Sequence, residues 1–182
     1  TYAPDSVSPI MASLLTKVVL LAWVRIIYWV LNASIVIFDI PVLQLVAVLG
    51  ASAAVIGASL ALAQRDIKMM FAYGGVSHIG IILIGIGQGN QTGFVGGIFY
   101  LLNDAVMQAA LFFIAGVAFY QYGVRTIDDL GRVGKQAPWL TGSLIVAALG
   151  MIGLPPTGGF FGKWNIILGA LEADNYVSVA AV

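Results

Sequence analysis

Long apolar runs separated by short polar segments set out this chain. They cover about residues 7–31 (span A), 42–63 (span B), 69–87 (span C), 94–120 (span D) and 139–171 (span E, interrupted once), and a further run opens at 176–182. Each of A to D is long enough to cross ~30 Å of hydrocarbon as a helix rising ~1.5 Å per residue. The pattern predicts an all-α polytopic helical membrane protein, a single transmembrane domain of about five spans. Span A is entered through Pro9, a residue suited to a first helical turn. Span B is uncharged and carries Gly50, Ala54, Gly57 and Ala61 at spacings of three and four, a small-residue stripe for close helix packing.

The polar segments punctuate the runs. Arg65, Asp66 and Lys68 open span C, the neutral stretch Gly87–Gly93 turns the chain back, and Gly123–Pro138 gathers Arg125, Asp128, Asp129, Arg132 and Lys135 in what reads as a solvated loop. Span E is cut by Leu154–Gly159. There Pro155 and Pro156 take helical donors away from the carbonyls of Met151 and Ile152, while Gly158 and Gly159 permit a sharp bend. Such a break is tolerated at membrane depth only where protein or a wet cavity satisfies it. The reading places Lys163 in the first turn of the restarted helix, where the helix dipole opposes its charge.

Composition agrees with a bilayer: 60% of residues are hydrophobic and 9% are charged, against roughly 25% charged in soluble domains. Eight Lys plus Arg balance eight Asp plus Glu, so the chain has no electrostatic footprint for nucleic acid, and its expected partners are lipid and other membrane subunits. With no cysteine and one histidine it holds no thiolate-ligated cluster, bis-histidine haem or metal site of its own, so no cofactor and no catalytic residue is expected. The first residue, Thr1, is not methionine and the last apolar run stops short, as in a fragment of a longer subunit.

Against this background the ionisable residues inside the spans stand out. Lys17 lies near the middle of span A, where a charge costs on the order of 2.5–3.5 kcal/mol, and has about ten apolar positions to its N-terminal side. His78 lies midway along span C, with Gly74 and Gly75 on its face leaving room for water or a neighbouring helix. Asn103, Asp104 and Gln108 occupy the middle of span D, Asp104 and Gln108 one turn apart, and Asp104 needs either a proton or a cationic partner. Four ionisable groups facing lipid would cost on the order of 10 kcal/mol together, which argues that Lys17, His78, Asp104 and Lys163 face one another or a wet cavity. A snorkelling lysine, a packed histidine bonded to a carbonyl, a polar clamp between helices and an interfacial Lys163 are the alternatives. Among the connections, A–B and C–D carry no Lys or Arg, whereas B–C and D–E carry Arg65, Lys68, Arg125, Arg132 and Lys135, which the positive-inside rule makes cytoplasmic.

Read together, A-P-x-x-V-S followed by Lys17, R-D-I-K-x-x-x-A-Y-x-x-V-S-H-I-G, L-L-N-D-A-x-x-Q-A-A-L-F and G-L-P-P-T-G-G-F-F-G-K resemble the antiporter-like, proton-translocating subunits. These include the large antiporter subunits of Mrp-type cation/proton exchangers and related subunits of respiratory complex I and membrane-bound hydrogenases. The resemblance implies two inverted five-helix repeats, each with a broken helix, of which this chain looks like the C-terminal part. It implies that Lys17 bridges two half-channels, that His78 is a relay histidine with Tyr73 and Ser77 as supporting polar residues, and that Lys163 is the terminal lysine of the broken helix. Asn103 and Gln108 are expected to support the relay. Many relatives carry a histidine, and some a lysine one turn later, where this chain has Asp104 and Gln108. The family's glutamate–lysine pair of the first repeat has no counterpart here. The implied function is proton translocation, coupled or not to sodium, within an antiporter, an NADH:quinone oxidoreductase-like complex or a hydrogenase in an inner (cytoplasmic) membrane. A structural or assembly subunit that conducts nothing is the alternative.

Overall fold

A computed structural model of the protein describes residues 14–30, 36–37 and 40–182, excluding the side chains of residues 37, 40, 132, 133 and 135. The start of span A, Pro9 included, its last residue at 31, and the side chains of Arg132 and Lys135 lie outside the described set.

Helix α1 (Thr16–Arg25) continues through a wider π turn, Ile26–Val30. A two-residue antiparallel ladder, Val36–Ile37 against Ile40–Pro41 with Val36 opposite Pro41, leads into α2 (Val42–Leu62). Then come α3 (Ile67–Gly87), α4 (Gln91–Tyr122), α5 (Ile127–Gln136), α6 (Pro138–Ile152), α7 (Gly158–Glu172) and α8 (Tyr176–Ala181). Among the described residues α2, α3 and α4, of 21, 21 and 32 residues, are long and apolar enough to cross a membrane. Their ends are set by local chemistry. Asp66 caps α3 by accepting from Met69 N–H at 3.1 Å, Asn90 caps α4 through Gly93 N–H at 2.9 Å, and Gly123 closes α4 in the left-handed region at φ 67°.

Packing follows the small residues. A Cβ on Gly50 would lie 2.8 Å from the Gly80 carbonyl, and one on Gly57 would lie 2.6 Å from Ser77 N, so the backbones of α2 and α3 touch along the predicted stripe. Ser77 Oγ donates to the Ala54 carbonyl across the same seam at 2.9 Å. Between α3, α4 and α7 lies the core, built on Ile82, Ile84, Ile86, Tyr100, Leu101 and Ile166. Outward-facing Val18, Val19 and Trp23 of α1 and Val48, Leu49, Val55 and Ile56 of α2 are exposed, an apolar exterior suited to lipid.

The structure departs from the sequence reading at Gly123–Pro138, which contains the helix α5 rather than a plain loop. Three glycines, Gly123, Gly131 and Gly134, and a high charge make the segment look unstructured. Its stability comes from docking: Leu130 packs against Ile67, Ala115, Ala118 and Val124, and Asp128 and Asp129 sit at the positive end of its dipole. Backbone bonds join this connection to the one before α3, from Ile67 N–H to the Arg125 carbonyl at 3.0 Å and from Ile127 N–H to the Arg65 carbonyl at 3.1 Å. Arg125 and Lys68 both lie against the Phe119 ring, 4.7 and 5.0 Å from its centroid.

The break in span E is present, with α6 ending at Ile152 and α7 starting at Gly158. Gly153, at φ 86°, turns the chain, and Leu154 N–H reaches back to the Leu149 carbonyl at 3.3 Å instead of to Gly150. Because α7 starts earlier than the apolar pattern suggests, Lys163 is in its second turn, beyond the first turn where the dipole acts. The expectation that the dipole opposes its charge is corrected accordingly. At its far end α7 returns to the start of α4, where Asn90 Nδ2 donates to the Gly169 carbonyl at 2.6 Å and Thr92 Oγ1 to Glu172 at 3.0 Å.

Candidate functional site

The site is organised by one face of α4. Tyr100, Asp104 and Gln108 recur every fourth residue, so they stack on one side of the helix. All three are buried, Tyr100 and Asp104 at 1% exposure. From Tyr100 to Gln108 this stripe covers about 12 Å at the helical rise, near the middle of α4.

Lys17 of α1 meets the stripe at its C-terminal end. Its Nζ lies 2.7 Å from Asp104 Oδ2 and donates to Gln108 Oε1 at 2.5 Å, with Lys17 4% exposed. Asp104 thus has the cationic partner that burial of a carboxylate calls for. Asp104 Oδ1 is buried and has no hydrogen-bond partner among the described residues. Gln108 fits because α3 has Gly75 opposite, where a Cβ would collide with its amide nitrogen. Gly74, by contrast, faces open space.

His78 and Lys163 meet the other end of the stripe. His78 Nδ1 and Tyr100 OH are 2.6 Å apart, and Lys163 Nζ sits 5.7 Å from the centroid of the Tyr100 ring. Lys163 also donates to the Ile152 carbonyl at 3.3 Å, supplying a donor at the break that Pro156 lacks. Asn103 Nδ2 reaches the Gly150 carbonyl at 3.5 Å, the one left over when Leu154 N–H turns to Leu149. Two carbonyls at the interrupted helix are therefore met by side chains from the predicted polar set. Gly158 and Gly159 admit Asn103 there, since a Cβ on Gly158 would lie 2.8 Å from its Oδ1.

Lys17, Asp104 and Gln108 thus form one group, and His78 and Lys163 a second, one turn away along α4. Ser77 is instead engaged in the α2–α3 seam, and half-buried Tyr73 has its carbonyl against Gly57 on that seam. Tyr100 is the functional candidate that the sequence reading passes over. A tyrosine among Phe99, Leu101 and Leu102 reads as core, and the only signal in the sequence was its position four residues before Asp104.

The fold and this cluster define an all-helical membrane protein with ionisable side chains gathered beside a broken helix. The chain belongs to the NADH:quinone oxidoreductase/Mrp antiporter transmembrane family, which it matches over residues 1–182. It is 40% identical over its whole length to NADH-quinone oxidoreductase subunit N of Desulforudis audaxviator, covering 36% of that protein. It is 42% identical over 125 residues, 69% of the chain, to a protein described as antiporter subunit mnhD2 of Staphylococcus saprophyticus, covering 25% of it. Among solved structures it resembles a chain of the Mrp complex from Dietzia sp. DQ12-45-1b, with a TM-score of 0.86 and 28% identity over 98% of this chain and 33% of that one. The chain therefore spans a quarter to about a third of the length of these relatives.

Proposed function

We propose that this chain is the portion of an antiporter-like subunit that moves protons through mid-membrane, by way of Lys17, Asp104, His78 and Lys163 on the α4 stripe. The observation that carries this reading is the buried contact of Lys17 Nζ with Asp104 Oδ2 at 2.7 Å and Gln108 Oε1 at 2.5 Å. A lysine held between a carboxylate and an amide has one partner that keeps its charge and another that does not require it. A proton arriving at Asp104 weakens the ion pair, and the Lys17 ammonium is then free to release its own. Buried Asp104 Oδ1 has no hydrogen-bond partner among the described residues, and an orphaned buried acceptor of this kind is usually met by an internal water, which the relay would use.

In this reading the second group receives what the first releases, His78 beside Tyr100 and Lys163 at the break, with water between them. Gln108 and Asn103 hold positions rather than carry protons. The partners are the remaining membrane subunits of a multisubunit complex, the lipid bilayer, and protons with or without sodium. The membrane is the cytoplasmic membrane, with Arg65, Lys68, Arg125, Arg132 and Lys135 on the cytoplasmic side.

The same ion pair supports a second reading, in which Lys17 and Asp104 clamp α1 to α4 and nothing is conducted. Proton uptake by vesicles containing the complete subunit in its complex separates the two. The relay requires Lys17→Ala to abolish ion-coupled uptake in complexes that still assemble, whereas the clamp is upheld if the assembled variant pumps like wild type.

A further inference from the structure

We propose that Tyr100 is the junction of the site, a positioning residue that holds His78 by its hydroxyl and Lys163 by its ring face, so that two titratable groups from different helices are fixed to one side chain. This rests on the relay above and adds to it a residue that neither the motifs nor the charge pattern singles out. The observations are geometric. Tyr100 OH lies 2.6 Å from His78 Nδ1, Lys163 Nζ lies 5.7 Å from the Tyr100 ring centroid, and Tyr100 is 1% exposed. The seat is built for it: α7 presents Gly162, next to Lys163, to the root of the Tyr100 side chain, where a Cβ would come within 2.8 Å of Tyr100 Cβ. Any larger residue at 162 would push α7, and Lys163 with it, off the ring.

A phenol suits this task because it both donates and accepts. Towards neutral His78 the hydroxyl donates to bare Nδ1, which leaves the imidazole hydrogen on Nε2. Towards the imidazolium, the Nδ1–H donates to the phenol oxygen instead. The contact therefore persists in both charge states, and the one proton gained or lost belongs to His78, not to Tyr100. On the other side, the ring face attracts Lys163 as a cation and offers little to a neutral amine. A change of charge at either group is thus felt at one rigid side chain whose backbone lies a turn from Asp104.

The substitutions Tyr100→Phe and Tyr100→Leu separate the two contacts, since phenylalanine keeps the ring and loses the hydroxyl. In the complete subunit within its complex, Tyr100→Phe is expected to lower proton flux about tenfold, the worth of one buried hydrogen bond. It should also shift the imidazole ¹⁵N signals of His78, assigned by their loss in His78→Gln. Tyr100→Leu should lower flux further; if that variant fails to assemble, Tyr100→Phe decides alone. Wild-type flux in Tyr100→Phe, or unchanged His78 signals whatever the flux, would overturn the proposal. The His78 signals do not depend on transport, so a relay disproved by an active Lys17→Ala would be distinguished from a Tyr100 that does not hold the histidine.

Discussion

Asp104 is where single-residue chemistry is most exposed to test. Its carboxylate faces Lys17 at 2.7 Å in a place both side chains share with almost no solvent, so removing one charge strands the other. Asp104→Asn is expected to destabilise the assembled subunit by about 3–5 kcal/mol, whereas Lys17→Met combined with Asp104→Leu should recover most of that loss. Unfolding of the purified complex in a graded detergent series measures both. The double variant should be stable and inactive, which a purely structural role does not allow for. The sequence showed that Lys17 and Asp104 needed partners because a charge in an apolar run is expensive. It did not show that they were each other's partner, since the two lie 87 positions apart and nothing local reports on such pairing. Tyr100 was hidden for the opposite reason: an aromatic in an apolar helix breaks no rule.

At the scale of elements, the interrupted crossing was the most legible feature, because proline and glycine act on their own backbone and need no tertiary context. What the sequence could not supply was who satisfies the break. Lys163 does so at Ile152 and Asn103 at Gly150, at 3.3 and 3.5 Å. A further expectation follows for Lys163. Lys163→Met should abolish ion-coupled flux and also cost about 1–3 kcal/mol of stability, because the Ile152 carbonyl loses its donor. Flux assays and detergent unfolding on the same preparation check the two effects together; a variant that is inactive yet as stable as wild type would show that the carbonyl finds another donor. Helix α5 was missed because its own composition argues against it, and its order comes from Leu130 settling on a patch made by α3 and α4.

Across the whole molecule, the bundle has two distinguishable ends. At one, Arg65 and Arg125 belong to connections tied by backbone hydrogen bonds; at the other, α7 is fastened to the start of α4 by Asn90 and Thr92. Cysteines at exposed positions 65 and 125 should both react with an impermeant maleimide applied from the cytoplasmic side, while one at exposed position 173 reacts only from the opposite side. Reaction of all three from one side would refute the crossing scheme. The charge asymmetry of the loops is what predicts this sidedness, whereas the stitching between loops leaves no mark in the sequence. α6 is held at its start by Ala137 and Leu140, packed on Ile67, Ala115, Ala118 and Val124, and α7 at its end by Asn90 and Thr92, which has a mechanical consequence for the crossing the two helices make. A jointed strut pinned at both ends cannot slide along its axis; it can only bow sideways at the joint. Its travel is confined to the level of the joint, and a tie across that joint is the Lys163 bond to Ile152, so a loss of charge on that lysine, as the proposed relay requires, would loosen the elbow at the one level where the strut is able to flex.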